Sequence, residues 1–194
     1  MSNTPDNELY KLLMFYEREI RPYEFTYICE FGTTIKFTME PDEVCHLIFG
    51  SLKNKQLPKK NLYKGIDGYN AIINGDVTQV PYVLKDAFKS KSVAFYNLPE
   101  LLSSPIAIYF NELLVQKGSI KGLHSEIDGD FLLYKEIEKK NIHFFLKYIE
   151  KKNRRLVPYS TFHNKKNDYI LNQKKIKIKE IKKELRINKD EVAS

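Results

Sequence analysis

Hydrophobic and polar positions alternate along much of the last third of the chain, a pattern typical of β-strands. Residues 141–149 carry apolar side chains at every second position, and residues 130–137 and 154–163 contain short apolar runs bounded by polar residues. Near residue 176, isoleucines alternate with lysines, which predicts a strand with an apolar back and a cationic front. We therefore predict that the fold is organised around a sheet within residues 130–180.

Apolar positions at helical spacing predict two helices in the first third of the chain. Residues 5–20 repeat large apolar side chains three or four positions apart, begin near a proline and end before another. Residues 41–53 start with a proline and two acidic residues, which suit the first turn of a helix. Between these helices, residues 24–31 and 33–39 predict a hairpin that turns at Gly32.

The middle of the chain gives weaker patterns. Glycine and proline recur through residues 54–104, which predicts an insertion of short helices, and we find no chemistry-bearing cluster there. Residues 105–111 fit a helix or a strand, and their β-branched content favours a strand. Residues 117–129 predict a glycine-rich connection. We expect one domain overall, with a basic tail over residues 181–194 that frays or extends as a helix.

Positive charge is concentrated in the same part of the chain as the predicted sheet. The whole chain has a net charge of +7. Residues 139–194 hold 17 lysines and arginines against 6 acidic residues, a net of +11, whereas residues 1–138 hold 15 against 19, a net of −4. A clustered basic face predicts a polyanionic partner such as a nucleic acid. A lysine-rich solvated surface is the alternative.

Several classes of protein are disfavoured by what the sequence lacks. No apolar run approaches the roughly 20 residues of a membrane span, and the first residues lack the layout of a signal peptide. We therefore expect a cytoplasmic location and no membrane partner. Cys29 and Cys45 are expected to be small buried residues without a disulfide. The histidines and cysteines lack metal-ligand spacing, and no glycine-rich nucleotide motif is present, so no metal and no cofactor are expected.

Side chains suited to phosphate chemistry lie among the predicted strands. They are Tyr134, Lys135, Ser160, Thr161, His163, Tyr169 and Gln173. His46 falls beside the buried face of the second helix, so we expect it at the edge of the core, half in solvent. A packed core-edge histidine is the alternative to a functional one. Lys53 and its neighbouring lysines are candidates for a basic rim or for a solvated loop.

The order of segments carries a resemblance to a nuclease family. An early hairpin leads to the helix segment HLIFG, and a helical middle leads to DFLLYK, IHFFL, PYSTF and DYILNQ. Five motifs in this order resemble the phage-associated Barnase–EndoU–ColicinE5/D–RelE-like nucleases, specifically the fourth class of that grouping. The similarity spans roughly residues 10–180. HLIFG and PYSTF depart from the family's HLLG and P-x-S-F-F, and Asn172 precedes Gln173 where the family often has glycine.

The resemblance implies an α+β fold in which an antiparallel sheet packs against the N-terminal helices. It also implies metal-independent cleavage of RNA, with the RNA's own 2′-hydroxyl as nucleophile. The helix histidine would transfer a proton, and the lysine and tyrosine of DFLLYK would bind or polarise the phosphate. The serine of PYSTF and the tyrosine of DYILNQ would donate hydrogen bonds, and the glutamine would orient a base or a phosphate. The implied catalytic set is His46, Tyr134, Lys135, Ser160, Tyr169 and Gln173.

Other basic and polar side chains, most of them in the predicted sheet, are expected to hold the RNA strand. They are Lys53, His143, Lys147, Arg154, Arg155, Thr161, His163, Lys175 and Lys177. For Tyr134 and Tyr169 the alternative is amphipathic core packing with a wet hydroxyl, and for Lys135 it is a solvated strand face.

The expected partners are RNA and, in a toxin or phage-defence setting, a protein antitoxin or a host complex. The alternative function is a non-catalytic protein that keeps the nuclease-like fold. Such a protein would inhibit or modulate a host complex that handles nucleic acid. The departures from the family motifs favour this alternative.

Overall fold

Two antiparallel sheets and five helices make up the described part of the chain, which in this computed structural model covers residues 7–53, 55–115, 127–149, 155–164 and 166–186. The helices are α1 (Glu8–Glu19), α2 (Pro41–Phe49), α3 (Gly65–Ile73), α4 (Lys85–Tyr96) and α5 (Leu98–Ser103). The strands are β1 (Tyr23–Cys29), β2 (Thr34–Phe37), β3 (Ile106–Tyr109), β4 (Phe131–Ile137), β5 (Lys140–Ile149), β6 (Arg155–Asn164), β7 (Lys174–Ile176) and β8 (Ile178–Leu185). The predicted α+β class is confirmed.

Most predicted elements lie at or near their expected places. α1 and α2 fall within residues 5–20 and 41–53, and β1 and β2 form the early hairpin. β3 shows that residues 105–111 hold a strand, and α3, α4 and α5 fall within the predicted helical insertion. Residues 117–126 of the predicted connection, and residues 187–194 of the tail, lie outside the described residues.

The prediction for the tail is wrong over residues 181–185. These residues belong to β8, which pairs with the whole of β1 instead of fraying or forming a helix. Pairing at a sheet edge gives the backbone groups of the tail hydrogen-bond partners. Arg186 then ties down the end of the strand, because its Nη2 lies 2.5 Å from Glu40 Oε1 and its backbone N–H donates to the Pro22 carbonyl.

The strands divide into two sheets. The three-stranded sheet has the order β2-β1-β8, and the five-stranded sheet has the order β6-β5-β4-β3-β7. The chain passes from the second sheet to the first at Lys177, between β7 and β8. The alternation of isoleucine and lysine runs from β7 into the start of β8, as far as Lys179, so the sequence pattern does not mark this crossing. β6 and β7 are the two edges of the five-stranded sheet.

Both faces of the five-stranded sheet are apolar. On one face, Leu133 joins the main core, which the helices and the three-stranded sheet also form. On the other face, Leu132 and Phe145 belong to a second apolar cluster. Consecutive side chains of a strand point to opposite faces, so Tyr134 and Lys135 of β4 lie on different sides of the sheet.

Candidate active site at an edge strand

An imidazole, an ammonium group and a hydroxyl meet beside β6. They belong to His46 of α2, Lys91 of α4 and Ser160 of β6 itself. Both helices pack against this strand, so side chains that are far apart in the sequence converge there. We call the group formed by His46, Lys91 and Ser160 the edge-strand site.

His46 lies in the last turn of α2, and both ends of that helix are fixed by its own sequence. Glu40 and Glu43 cap the start reciprocally. At the other end the Gly50 N–H donates to the His46 carbonyl at 2.8 Å, and Gly50 has a φ of 74°, which favours glycine. The imidazole is half-buried, and its centroid lies 5.6 Å from that of the Tyr159 ring. The expected position of His46 at the edge of the core is confirmed.

Lys91 reaches the site past Gly50. A Cβ at position 50 would lie 2.9 Å from Lys91 Cε, so the missing side chain makes room for the lysine. The Lys91 ammonium donates to Ser160 Oγ at 3.2 Å and to the Thr161 carbonyl at 3.0 Å. An ammonium group has three protons, so one remains for a further acceptor.

Burial shifts the pKa of both titratable groups toward their neutral forms. Burial, and next the positive charge of Lys91, lower the pKa of His46, while a hydrogen bond with the Tyr159 backbone opposes them. Burial lowers the pKa of Lys91 to about 8. At pH 7 the imidazole is therefore mainly neutral and the ammonium mainly charged. The site combines a proton acceptor with a cation that is able to give up a proton.

Two further cations flank the site, and each is paired with a carboxylate. Arg155 Nη2 lies 3.0 Å from Glu43 Oε1. Lys147 bonds Asp128 and also lies 5.3 Å from the centroid of the Tyr159 ring. Burial raises the pKa of Glu43 to about 7, so its negative charge is only partly developed at neutral pH. The surroundings of the site therefore favour an anionic ligand.

Lys135 does not join the edge-strand site. Its ammonium donates to the Ser104 hydroxyl at 2.9 Å and lies 3.2 Å from a Glu100 carboxylate oxygen, so α5 and its C-cap residue hold it. β4 is two strands from β6, or roughly 10 Å at the usual spacing of strands. The prediction that Lys135 shares one phosphate site with His46 and Ser160 is corrected accordingly.

The remaining predicted catalytic residues are engaged in apolar packing or in backbone hydrogen bonds. Tyr134 and Tyr169 belong to the second apolar cluster, where the Tyr169 ring centroid is 5.1 Å from that of Phe162. Gln173 uses both ends of its amide on the Asn111 backbone, at 2.9 Å each. The surroundings of Tyr134 and Tyr169 match the alternative predicted for them from the sequence, which is packing in an apolar core.

Two predicted RNA-binding residues are buried inside the sheet. His143 is 0% exposed, and its ring is stacked on that of Phe162 with centroids 5.1 Å apart. Burial lowers the pKa of His143 to about 4, so its ring is neutral at pH 7. Thr161 is also buried and donates to the His143 carbonyl at 2.8 Å. Because neither side chain reaches the surface, the prediction that they bind RNA is wrong.

The other predicted binding residues are spread over the molecule. His163 Nδ1 lies 3.0 Å from a backbone carbonyl of α4. Lys177 pairs with a carboxylate of the β1–β2 turn, at the other edge of the sheet from β6. Lys53 and Lys175 are exposed, and Arg154 lies outside the described residues. Of the predicted set, Lys147 and Arg155 flank the edge-strand site.

Sequence reasoning missed Lys91, because residues 54–104 were predicted to hold no chemistry. One signal was present in the sequence. Lys91 follows Phe88 by three positions and precedes Phe95 by four, and both phenylalanines are buried. Lys91 therefore occupies the apolar stripe of α4. A lysine in such a stripe needs a partner for its ammonium, and Ser160 with Thr161 provides it.

Comparison with known proteins finds no match: no protein-family model, no curated protein and no solved structure is similar to the chain. Within the described ranges, no three histidine, cysteine, aspartate or glutamate side chains are grouped as metal ligands. No helix in those ranges has the length and apolar character needed to cross a membrane. The sequence motifs and the edge-strand site are therefore the features of the chain that bear on its function.

Proposed function

We propose that this protein is a metal-independent endoribonuclease whose active site is the edge-strand site. The observation that best supports the proposal is the convergence of His46, Lys91 and Ser160 beside one strand. The three side chains supply a proton acceptor, a cation and a hydroxyl donor, which suit cleavage of RNA through its own 2′-hydroxyl. His46 and Ser160 keep their predicted roles. Lys91 replaces Lys135 as the lysine beside the phosphate and, in addition, serves as the proton donor.

In the proposed reaction, neutral His46 accepts the proton of a 2′-hydroxyl as that oxygen attacks the neighbouring phosphorus. The bond from phosphorus to the 5′-oxygen of the next nucleotide breaks, and Lys91 gives a proton to the departing oxygen. Ser160, which is 9% exposed, accepts a hydrogen bond from Lys91 at Oγ, and this leaves its own proton for a non-bridging phosphate oxygen at the margin of the buried surface. The products are a 2′,3′-cyclic phosphate and a 5′-hydroxyl.

The charge of the chain and its motifs support RNA as the substrate class. The net charge of +11 over residues 139–194 favours a polyanion. The order of motifs resembles nucleases from phage and mobile elements. In that setting the protein acts as a toxin or defence effector, and a protein antitoxin is the natural partner.

The proposal is tested by incubating the purified protein with total RNA in EDTA and mapping the product ends. Fragments with 2′,3′-cyclic phosphate and 5′-hydroxyl ends are expected. RNA that stays intact, or cleavage that needs an added divalent metal, would contradict the proposal.

A second candidate is a non-catalytic protein that docks onto a host complex that handles nucleic acid. It is favoured by the internal engagement of Lys135 with Glu100 and of Gln173 with Asn111, residues that the family resemblance assigns to catalysis. Expression in a bacterial host separates the two candidates. If the wild-type protein causes growth arrest and RNA decay, and His46→Ala relieves both, the result supports the nuclease. Unimpaired growth with a stable co-purifying host complex supports the binding protein.

A further inference from the structure

A basic groove with exposed aromatic rings lies where the two sheets meet, at the edge opposite the edge-strand site. It has a volume of about 350 Å³ and runs between the β1–β2 turn and β7. Its lining is Glu30, Phe31, Ile106, Tyr109, Lys174, Lys175, Ile176 and Lys177. We call it the Phe31 groove. β7 is four strands from β6, or roughly 19 Å at the usual spacing of strands, so the groove is separate from the edge-strand site.

Phe31 presents an almost fully exposed ring at one side of this groove. Its side chain is 98% exposed, so burial contributes nothing to holding it in place. Its backbone has φ 58° and ψ 27°, a left-handed conformation in which glycine and asparagine are favoured. Neither packing in the core nor the backbone geometry of the turn favours a phenylalanine at this position. A free aromatic face is instead the feature that a planar ligand recognises by stacking.

Lysines surround the exposed rings. Lys174 Nζ lies 5.5 Å from the centroid of the Tyr109 ring, and the Tyr109 hydroxyl bonds Thr33 of the β1–β2 turn. Lys175 is exposed and makes no ion pair within the described residues. Lys177 pairs with Glu30, the one acidic residue of the lining, at 3.1 Å. Three lysines against one glutamate give the lining a net charge of +2.

We propose that the Phe31 groove binds single-stranded RNA, with a base stacked on the Phe31 ring and phosphates beside Lys174 and Lys175. Exposed aromatic faces beside a basic groove are the features by which proteins hold unpaired strands, since each base offers a face and each phosphate a charge. A protein partner with an acidic and apolar surface is the competing occupant. Two exposed rings in a lining of net charge +2 match the bases and phosphates of a nucleic acid strand better.

The choice of RNA rests on the proposed function, but binding at the groove requires no cleavage. A 2′-O-methyl oligonucleotide lacks the attacking hydroxyl, so it stays intact whether or not the protein is a nuclease. Failure to bind this probe therefore refutes the proposal that the groove binds RNA, and it does not bear on the proposal that the protein cleaves RNA. Failure to cleave natural RNA refutes the nuclease and leaves the groove untouched.

The test uses a labelled 2′-O-methyl oligouridine of about 12 nucleotides, a length within the range of single-strand binders. Binding to the full chain is followed by fluorescence anisotropy at low salt. Phe31→Ala is expected to weaken binding about ten-fold, the size of effect that loss of one base stack gives. Tyr82→Ala is the matched control, because Tyr82 is 86% exposed and has Lys85 over its ring at a different surface. Its affinity is expected to equal that of the wild type.

A tryptophan variant reports stacking directly, because the natural chain contains no tryptophan. Phe31→Trp keeps a ring in place, so it is expected to bind like the wild type and to lose fluorescence as the oligonucleotide is added. Tyr82→Trp is expected to keep its fluorescence. Equal affinities for Phe31→Ala and Tyr82→Ala, equal competition by duplex RNA, or no binding by the wild type would overturn the proposal.

Discussion

The Lys91 ammonium lies 3.2 Å from Ser160 Oγ, although 69 positions of sequence separate the two residues. This contact joins the helical insertion to the edge strand and holds a cation near enough to His46 to lower the pKa of the imidazole. It also locates the phosphate-binding lysine of the proposed mechanism on a helix, whereas the sequence motifs point to a lysine on β4.

Replacement of Lys91 tests its role in catalysis separately from its role in folding. Lys91→Met keeps the apolar stem and removes the charge, so we expect cleavage to fall by about 100-fold or more. The melting temperature is expected to stay near the wild-type value, because relief from desolvating a half-buried charge is offset by loss of the hydrogen bonds to Ser160 and Thr161. Lys89→Met, on an exposed position of the same helix, is the matched control and should cleave at the wild-type rate. Equal rates for both variants would remove Lys91 from the mechanism.

Gly50 is predicted to matter for the position of Lys91 as well as for the end of α2. Gly50→Ala adds a Cβ 2.9 Å from Lys91 Cε and forces φ 74° and ψ −163° on a residue with a side chain. We expect a loss of about 1–3 kcal/mol in the free energy of unfolding, measured by denaturant titration, together with a loss of cleavage. Gly65 also has a positive φ, but a Cβ at this position would meet open space. Gly65→Ala should therefore lower the free energy of unfolding without loss of cleavage. Loss of cleavage in both variants would refute the steric link to Lys91.

The pH dependence of cleavage follows from the two shifted pKa values. Proton acceptance by His46 requires neutral imidazole, so kcat/KM should fall on the acid side only below the ordinary histidine pKa of about 6.5. Proton donation by Lys91 requires the ammonium, so kcat/KM should fall again as pH rises through about 8. Lys91→Arg should cleave far more slowly and should lose the alkaline limb near pH 8, since arginine stays charged and does not give up a proton. An alkaline limb that is the same in both proteins would contradict the assignment of Lys91.

His143 is predicted to make the fold sensitive to acid. Neither of its ring nitrogens makes a hydrogen bond of ordinary geometry in the described part of the chain, and burial lowers its pKa to about 4 although the backbone of Asn141 and Phe162 opposes this shift. Above about pH 6.5 the ring is neutral in both folded and unfolded chains. As pH falls from about 6.5 to about 4, the unfolded chain binds the proton first, and up to roughly 3 kcal/mol of stability is lost.

Denaturant titrations at several pH values check this prediction through the slope of stability against pH. His143→Phe keeps a flat ring between its aromatic neighbours and does not titrate. Whatever its stability at neutral pH, this variant should lose less stability between about pH 6.5 and about pH 4 than the wild type. An identical slope in the two proteins would show that His143 is not the group responsible.

Local patterns in the sequence predicted most of the elements, because helix and strand periods depend on neighbours a few positions apart. The spacing of leucines predicted α1, and the position of His46 at the edge of the core followed from the apolar stripe of α2. Because consecutive side chains of a strand point to opposite faces, Tyr134 and Lys135 lie on different sides of the sheet. The prediction from the motifs placed both residues in one phosphate site and overlooked this rule.

Long-range features were not predictable in the same way. The pattern of isoleucine and lysine near residue 176 predicted β7 and only the start of β8 as strand, and it gave no reason for the chain to change sheets at Lys177. The partner of β8 is β1, about 150 positions earlier in the sequence. Lys91 meets Ser160 only because α4 packs against β6, and this depends on the three-dimensional arrangement of the core.

The role of His46 is the centre of the account, and one comparison tests it most directly. The cleavage rates of His46→Ala and His163→Ala are measured on the same RNA oligonucleotide in EDTA, after both variants are shown to melt near the wild-type temperature. His163 is a half-buried histidine that contacts α4 through Nδ1, so it is the matched control. The account predicts a rate at least about 100-fold lower for His46→Ala and a near wild-type rate for His163→Ala. Cleavage by His46→Ala at the wild-type rate would contradict it.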